Sequence, residues 1–190
     1  MKLYHVSKVP NLELIEPKIS THKKAYVYAT PNLNFALLFG GAGHGDFDGF
    51  YGDKDKENGI PYFYEAYPNA FKNRFENEQC YVYQVDPTSF LENQTTFKGE
   101  LVSEQPVKVV ESFKIDNLYS YFQNLIKENK FTLKTYNSQN PEYVAVMRKH
   151  IKDRIVMFET YKNKNSKNYI FCQQHYADIL KECEEEFNKI

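Results

Sequence analysis

The chain has 190 residues, of which 42% are hydrophobic, and its formal net charge is −1. This length fits one domain of ordinary size, and the apolar content excludes a disordered composition. The charge balance gives no support to a surface that tracks nucleic-acid phosphates, so a nucleic-acid substrate would need a local patch. The 3 cysteines are scattered, and the sequence has no membrane-spanning apolar run and no signal-peptide pattern. We therefore expect a reduced, cytoplasmic protein without a membrane partner.

The first half of the chain has mainly strand patterns. Its candidate strands are rich in β-branched and aromatic residues, and the second of them runs directly into a helix-like stretch, Asn34–Phe39. We expect a β-rich region here. The candidate strands are Leu3–Ser7, Ala25–Pro31, Gln79–Val85, Gly99–Ser103 and Pro106–Val110.

A long insertion, residues 40–78, interrupts this region. It begins with the glycine-rich run Gly40–Asp46, which fits neither the G-x-G-x-x-G pattern nor the P-loop. The acids that follow do not match a calcium-binding EF-hand, because Phe50 and Tyr51 stand where a ligand and the required glycine belong. A loop of this length is functional or mobile. We expect its charge run, Asp46–Glu57, to be solvated surface that holds no metal.

The second half has helical patterns. Asp116 is expected to cap a helix that runs from Asn117 to about Asn129, and Asn140-Pro141-Glu142 is a strong helix start, with a capping side chain before a proline. After a polar loop, residues 162–168, one last helix is predicted from Tyr169 to about Asn188. Strands followed by helices predict an α+β fold.

This order of elements divides the chain into two parts of a single domain. Residues 1–112 are expected to form a β-rich core that carries the insertion at 40–78. Residues 113–190 are expected to form a helical part packed on that core. The five histidines show no metal-ligand spacing.

The first two strands carry informative side chains. His5 is a lone histidine in an apolar strand, and such a residue is more often a core histidine with a backbone partner than a ligand-binding one. Alternation places Tyr26 and Tyr28 on one face of their strand. Two phenols on that face either line a pocket or fill the core.

One carboxylate stands out among many. Glu100 lies in a short apolar strand candidate, beside Leu101 and Val102, where burial of an acid is costly unless the acid is paired. It is the strongest candidate for an acidic site residue, with a solvated edge-strand position as the alternative. Glu142, by contrast, is explained by the helix N-terminus at which it lies.

Three short motifs resemble those of the ADP-ribosyltransferase superfamily. They are most similar to its histidine–tyrosine–glutamate branch, which includes diphtheria-type toxins and the poly(ADP-ribose) polymerases. The resemblance covers about residues 1–112 and implies an ADP-ribosyltransferase-like split antiparallel sheet with a C-terminal helical subregion. The motifs are Leu3-Tyr4-His5-Val6-Ser7, Val27-Tyr28-Ala29-Thr30 with the helix that follows, and Gly99-Glu100-Leu101-Val102-Ser103.

The resemblance also implies roles for individual side chains. In that family the histidine binds a ribose of NAD, the tyrosine stacks on nicotinamide, and the glutamate lies near the nicotinamide ribose. Carried over to this chain, Glu100 is the catalytic residue, and NAD, as a substrate, is bound by His5, Ser7, Tyr26 and Tyr28.

Two features of the sequence affect which branch of the superfamily it resembles. Val6 follows His5, where the family usually has a glycine whose backbone meets the nicotinamide amide. The tRNA 2′-phosphotransferase branch relies on basic residues around its site, and Arg74, Arg148 and Arg154 all lie far from the motifs in sequence. That branch is therefore not supported.

Three classes of function stay open. The first is an NAD-dependent mono-ADP-ribosyltransferase that modifies a protein or nucleic-acid acceptor. The second is a catalytically silent member of the same fold that acts as a binding module. The third is an unrelated α+β interaction protein in which His5 and Tyr28 are core residues. Release of nicotinamide passes through an oxocarbenium-like ribose, so the first class needs a carboxylate close to that ribose.

Overall fold

The computed structural model describes residues 1–19, 24–54, 59–92, 94–95 and 99–187. These residues form helices and antiparallel sheets, which confirms the predicted α+β class. The chain divides into two compact units. Unit 1 comprises Met1–Ala42, Gly52–Tyr62 and Phe75–Thr132, and unit 2 comprises Gly43–Tyr51, Phe63–Arg74 and Leu133–Ile190.

The strands, in chain order, are β1 (Leu3–Ser7), β2 (Leu14–Ile15), β3 (Lys18–Ile19), β4 (Ala25–Ala29), β5 (Gly49–Lys54), β6 (Ile60–Glu65), β7 (Cys80–Val85), β8 (Leu91–Glu92), β9 (Leu101–Ser103), β10 (Val107–Ile115) and β11 (Thr132–Lys134). The α-helices are α1 (Leu33–Ala36), α2 (Ala70–Phe75), α3 (Leu118–Lys127), α4 (Pro141–Met157), α5 (Lys167–His175) and α6 (Ala177–Phe187). Short 3₁₀ segments occur at Leu37–Phe39, Gly45–Phe47 and Thr160–Lys162. None of the described helices combines the length and the apolar character that crossing a bilayer requires.

Unit 1 contains two four-stranded antiparallel sheets. Sheet A has the strand order β1-β7-β10-β2, and sheet B has the order β3-β4-β9-β8. Side chains alternate between the two faces of a strand, and apolar side chains from one face of each sheet form a shared core. Its buried members are Leu3, Ile15, Tyr83, Val85 and Val107 from sheet A, and Val27, Ala29 and Leu101 from sheet B.

The two sheets of unit 1 meet at one bridge. Tyr4 in β1 and Thr30 after β4 exchange two main-chain hydrogen bonds, with N–O distances of 2.9 and 3.1 Å. The bridge is isolated, and no further β1–β4 pair follows it among the described residues. In a continuous antiparallel ladder the next such pair would join Val6 to Tyr28. The strands instead diverge there, and we call the gap between Val6 and Tyr28 the notch.

The helices of unit 1 have side-chain caps. The Asn32 side chain accepts a hydrogen bond from the Phe35 N–H at 3.2 Å at the start of α1. Asn117 caps α3 by accepting from the Ser120 N–H at 2.8 Å. The predicted cap, Asp116, is therefore wrong by one residue, because the neighbouring amide side chain reaches the first turn of the helix.

Unit 2 contains the long C-terminal helices. α4 begins where the sequence predicts, with Asn140 as its cap and Pro141 in its first turn. The single last helix predicted from Tyr169 is wrong, since the chain breaks between α5 and α6 at Tyr176, whose φ of −141° is not helical. The buried hydroxyl of Tyr176 donates to the main-chain oxygen of Phe47 at 2.6 Å. This distant partner holds the break in place.

The insertion at 40–78 is not one long loop. It contains β5, β6 and α2, and a third sheet has the order β11-β6-β5. The sequence did carry a signal, because Tyr62-Phe63-Tyr64 consists of aromatic strand formers. In the structure, burial alternates along Ile60–Glu65 as expected for a strand. Residues 55–58 of the insertion lie outside the described part of the chain.

Candidate functional site

His5 occupies the notch. Its Nδ1 lies 2.8 Å from the main-chain oxygen of Tyr28. A carbonyl oxygen only accepts hydrogen bonds, so Nδ1 carries the proton and donates it, and Nε2 of the neutral ring is an acceptor. In a continuous ladder the Val6 N–H would donate to this Tyr28 oxygen. Here the imidazole Nδ1–H donates to it instead.

The environment of His5 keeps its ring neutral. Burial lowers the pKa of His5 below 6.5, and the positive charge of Lys18 acts in the same direction. The hydrogen bond to Tyr28 opposes this shift but is outweighed. At neutral pH the imidazole therefore offers Nε2 as an acceptor rather than a positive charge.

The two tyrosines of β4 lie on the face of sheet B away from the shared core. Val27 and Ala29 alternate with them and are core members. The rings of Tyr26 and Tyr28 are in edge-to-face contact, with centroids 5.8 Å apart at 83°. Tyr26 is buried and Tyr28 is half-buried.

Glu100 lies one strand away from the notch. It immediately precedes β9, and Leu101 pairs with Ala29 of β4. Continuing that register by one residue places Glu100 opposite Thr30, which is bridged to Tyr4 in sheet A. Because β9 lies between β4 and β8, Glu100 leads into an interior strand and not an edge strand. Its side chain is half-buried and its Oε2 atom is fully buried.

Ser7 ends β1 and is half-buried. Its Oγ accepts a hydrogen bond from the Val9 N–H at 3.1 Å. Alternation places Ser7 on the same face of β1 as His5. Its hydroxyl shapes the turn that follows the strand.

A cavity of about 800 Å³ lies beside the bridge between the sheets. Its walls come from one face of α3 and from the segment 31–34, together with Tyr4 and Gly59. None of the sequence-predicted site residues lines it. Tyr4 does so although the adjacent His5 does not, because consecutive strand residues face opposite sides. The sequence analysis missed this cavity, since its walls are about 90 residues apart in the chain.

Unit 2 contains a buried ion pair. Arg74 Nη1 donates to Asp48 Oδ2 at 2.9 Å, and both side chains are almost fully buried. Asp48 also accepts hydrogen bonds from the His44 N–H at 2.7 Å and from the Tyr67 hydroxyl at 3.3 Å. The expectation that Asp46–Glu57 is a solvated charge run is wrong for Asp48, because a distant arginine compensates its charge.

In unit 2, three histidines lie within or beside residues 43–46 of the glycine-rich run. The Phe171 ring is stacked with His44 at a centroid distance of 3.9 Å and with His175 at 4.4 Å. His150 Nε2 lies 2.8 Å from the main-chain oxygen of Asp46. Burial lowers the pKa of His150 and of His175. These contacts hold the run against helices, and we assign the cluster to stability.

Neither metal-binding side chains nor similarity to known proteins points to a further site in the described part of the chain. Within the described ranges, no group of three or more histidine, cysteine, aspartate or glutamate side chains could hold a metal ion. No family model, curated protein or solved structure matches the chain. The functional argument therefore depends on the geometry of the notch and of the residues around it.

Proposed function

We propose that the chain is an NAD-dependent mono-ADP-ribosyltransferase that transfers ADP-ribose from NAD to a macromolecular acceptor, either protein or nucleic acid. The observation that supports this best is the hydrogen bond from His5 to Tyr28 in the notch. A neutral histidine lies where two strands separate, and a half-buried acid, Glu100, lies one strand away. The resemblance implies that His5, Tyr28 and Glu100 act together on NAD.

The main chain at the notch suits a carboxamide. Tyr4 directs both its N–H and its C=O toward β4, and main-chain groups of a strand alternate between its two edges. The N–H and C=O of Val6 therefore also face β4. The nicotinamide carboxamide has one acceptor and one donor group, which complement this pair. A valine supplies the same main-chain groups as the glycine that is usual in the family.

Three side chains offer groups that suit the rest of the nicotinamide riboside. Nε2 of His5 accepts a hydrogen bond from a ribose hydroxyl, which always has a proton to donate. The half-buried ring of Tyr28 provides an aromatic surface for nicotinamide. Glu100 provides the negative charge that an oxocarbenium-like ribose needs.

The reaction can be written with these groups in place. The bond between the ribose carbon and the pyridinium nitrogen breaks, and its electron pair neutralises the departing nicotinamide. Glu100 stabilises the positive charge that develops on the ribose. A nucleophile of the acceptor then bonds to the same carbon and loses its proton. The products are nicotinamide and an ADP-ribosylated acceptor.

The test uses NAD labelled either in the nicotinamide or in the adenylate group. The purified full chain is incubated with each form, with and without cell lysate. We expect release of labelled nicotinamide and transfer of the adenylate label to a macromolecule in the lysate. Binding of NAD without nicotinamide release would instead indicate a silent binding module. Absence of NAD binding would contradict the proposal.

A further inference from the structure

The cavity beside the bridge of unit 1 has aromatic and apolar walls. Tyr4 from β1 and Tyr121 from α3 are both half-buried there. Leu125, one turn after Tyr121, is buried and lies on the same face of the helix. Pro31 and Leu33 contribute apolar surface from the opposite wall. Such walls favour a flat ligand with aromatic faces.

The polar lining consists mainly of amides. Asn34 and Asn124 each line the cavity with a side chain that can donate and accept. The Asn32 side chain accepts from the Phe35 N–H and donates to the Gly59 oxygen at 2.6 Å. Asn32 thereby links two parts of the wall, and the other two amides are placed to recognise a ligand that carries donors and acceptors on its edge.

The charges at the cavity compensate each other. Among its described lining residues, the charged side chains are Glu128 and Lys130, which form an ion pair at 2.7 Å. A phosphate or a carboxylate would have to compete with Glu128 for this lysine. The lining therefore favours a neutral ligand group.

We propose that this cavity binds a nucleobase of a second molecule, separate from the NAD bound at the notch. A base is flat, neutral and edged with donors and acceptors, tyrosine rings stack on its faces, and asparagine amides pair with its edge. The volume of about 800 Å³ lies within the range of small-molecule sites and leaves room for the attached sugar. His5, Tyr28 and Glu100, to which the proposed function assigns NAD, do not line this cavity.

The test is isothermal titration of the full chain with adenosine, guanosine, cytidine and uridine. We expect at least one nucleoside to bind with a Kd of about 0.1 mM. Failure of all four to bind below about 1 mM would overturn the proposal. A single-stranded oligonucleotide distinguishes the sources of the base. Tighter binding of the oligonucleotide than of the nucleoside identifies nucleic acid as the source, and weaker binding identifies a free nucleoside or nucleotide.

Two tyrosines of α3 provide a matched pair of variants. Tyr121→Leu removes a stacking surface and is expected to weaken nucleoside binding about 10-fold or more. Tyr119→Leu, two residues away on the same helix and outside the cavity lining, is expected to leave it unchanged. Equal effects of the two variants would overturn the assignment. Circular dichroism establishes that each variant is folded before it is titrated.

Asn124→Asp provides a second variant, at an exposed position that does not threaten folding. It replaces a group that donates and accepts by one that only accepts, so the preference among the bases is expected to shift away from uridine, which has no amino group, and toward the three nucleosides that present one. An unchanged order of affinities would contradict the role of Asn124. Saturating NAD is expected to leave nucleoside affinity unaltered, and competition by NAD would overturn the claim of a separate site. The titration with saturating NAD rests on the proposed function, whereas the nucleoside titrations without NAD do not.

Discussion

The imidazole Nδ1 of His5 and the main-chain oxygen of Tyr28 lie 2.8 Å apart at the point where β1 and β4 separate. This hydrogen bond has one structural and one chemical consequence. It satisfies a carbonyl that has lost its ladder partner, and it fixes the tautomer in which Nε2 is an acceptor. Two substitutions separate these consequences.

His5→Asn and His5→Gln are expected to have different effects. An asparagine amide nitrogen takes roughly the position of Nδ1, so His5→Asn keeps the bond to Tyr28 and loses the acceptor at Nε2. We expect this variant to remain close to wild type in thermal unfolding and to bind NAD about 10-fold more weakly, the loss typical of one hydrogen bond.

The glutamine variant provides the comparison. A glutamine amide reaches the position of Nε2 rather than that of Nδ1. His5→Gln therefore removes the hydrogen bond that Nδ1 donates to the Tyr28 carbonyl. We expect this loss to lower the free energy of unfolding by about 1–3 kcal/mol. Calorimetry with NAD and thermal unfolding measure both effects. If neither variant changes NAD affinity, His5 is a core histidine and not a ligand-binding residue.

Glu100→Gln is expected to lower kcat for nicotinamide release by about 10²–10³ and to leave the fold intact. The substitution keeps the shape of the side chain and removes the charge that stabilises the transition state. Glu104→Gln is the control, because Glu104 is an exposed acid just after the same strand. Nicotinamide release under saturating NAD is the measurement, and equal rates for the two variants would remove Glu100 from the mechanism.

The buried pair of Asp48 and Arg74 is expected to stabilise the glycine-rich run. Asp48→Asn leaves Arg74 buried without its counter-charge, which typically costs about 3–5 kcal/mol. Asp178→Asn is the control, since it breaks an exposed pair with Arg148 and is expected to cost at most about 1 kcal/mol. Urea unfolding measures both losses. A loss below about 1 kcal/mol for Asp48→Asn would contradict the expected penalty for an uncompensated buried charge.

Acid is expected to destabilise unit 2 through the half-buried His150. Burial lowers the pKa of His150 below 6.5 in the folded protein, so between its two pKa values the unfolded chain binds the proton more strongly. Stability is therefore complete above about pH 6.5 and falls as the pH decreases toward the folded pKa. His150→Gln removes this titration and keeps a donor near Nε2 for the Asp46 carbonyl.

Urea unfolding between pH 7.5 and pH 5 tests this expectation. The wild type is expected to lose stability faster than His150→Gln, by up to about 1.4 kcal/mol per pH unit. His5 and His175 titrate in both proteins and provide a common background. Identical slopes would mean that His150 is not protonated differently in the folded and unfolded chains.

Local patterns were sufficient for much of the secondary structure. Alternation along β1, β4 and β7 and the asparagine–proline start of α4 predict those elements close to their observed bounds. These signals are local because strand periodicity and helix capping involve residues close in sequence. Where a distant partner decides the local conformation, the prediction fails, as at Tyr176, whose hydroxyl bonds to Phe47.

The residue types of the candidate site were also visible in the sequence, but their relationships were not. Strand patterns predict a histidine on the first strand, two tyrosines on a later one and an acid within a third, although the structure begins that third strand one residue after Glu100. Three relationships emerge only in the folded chain: β1 and β4 pair at one bridge and then diverge, Nδ1 of His5 bonds to Tyr28, and Asp48 is buried against Arg74. Side-chain periodicity is predictable because it is set by neighbouring residues. Strand pairing and the compensation of a buried charge depend on groups that are distant in the chain.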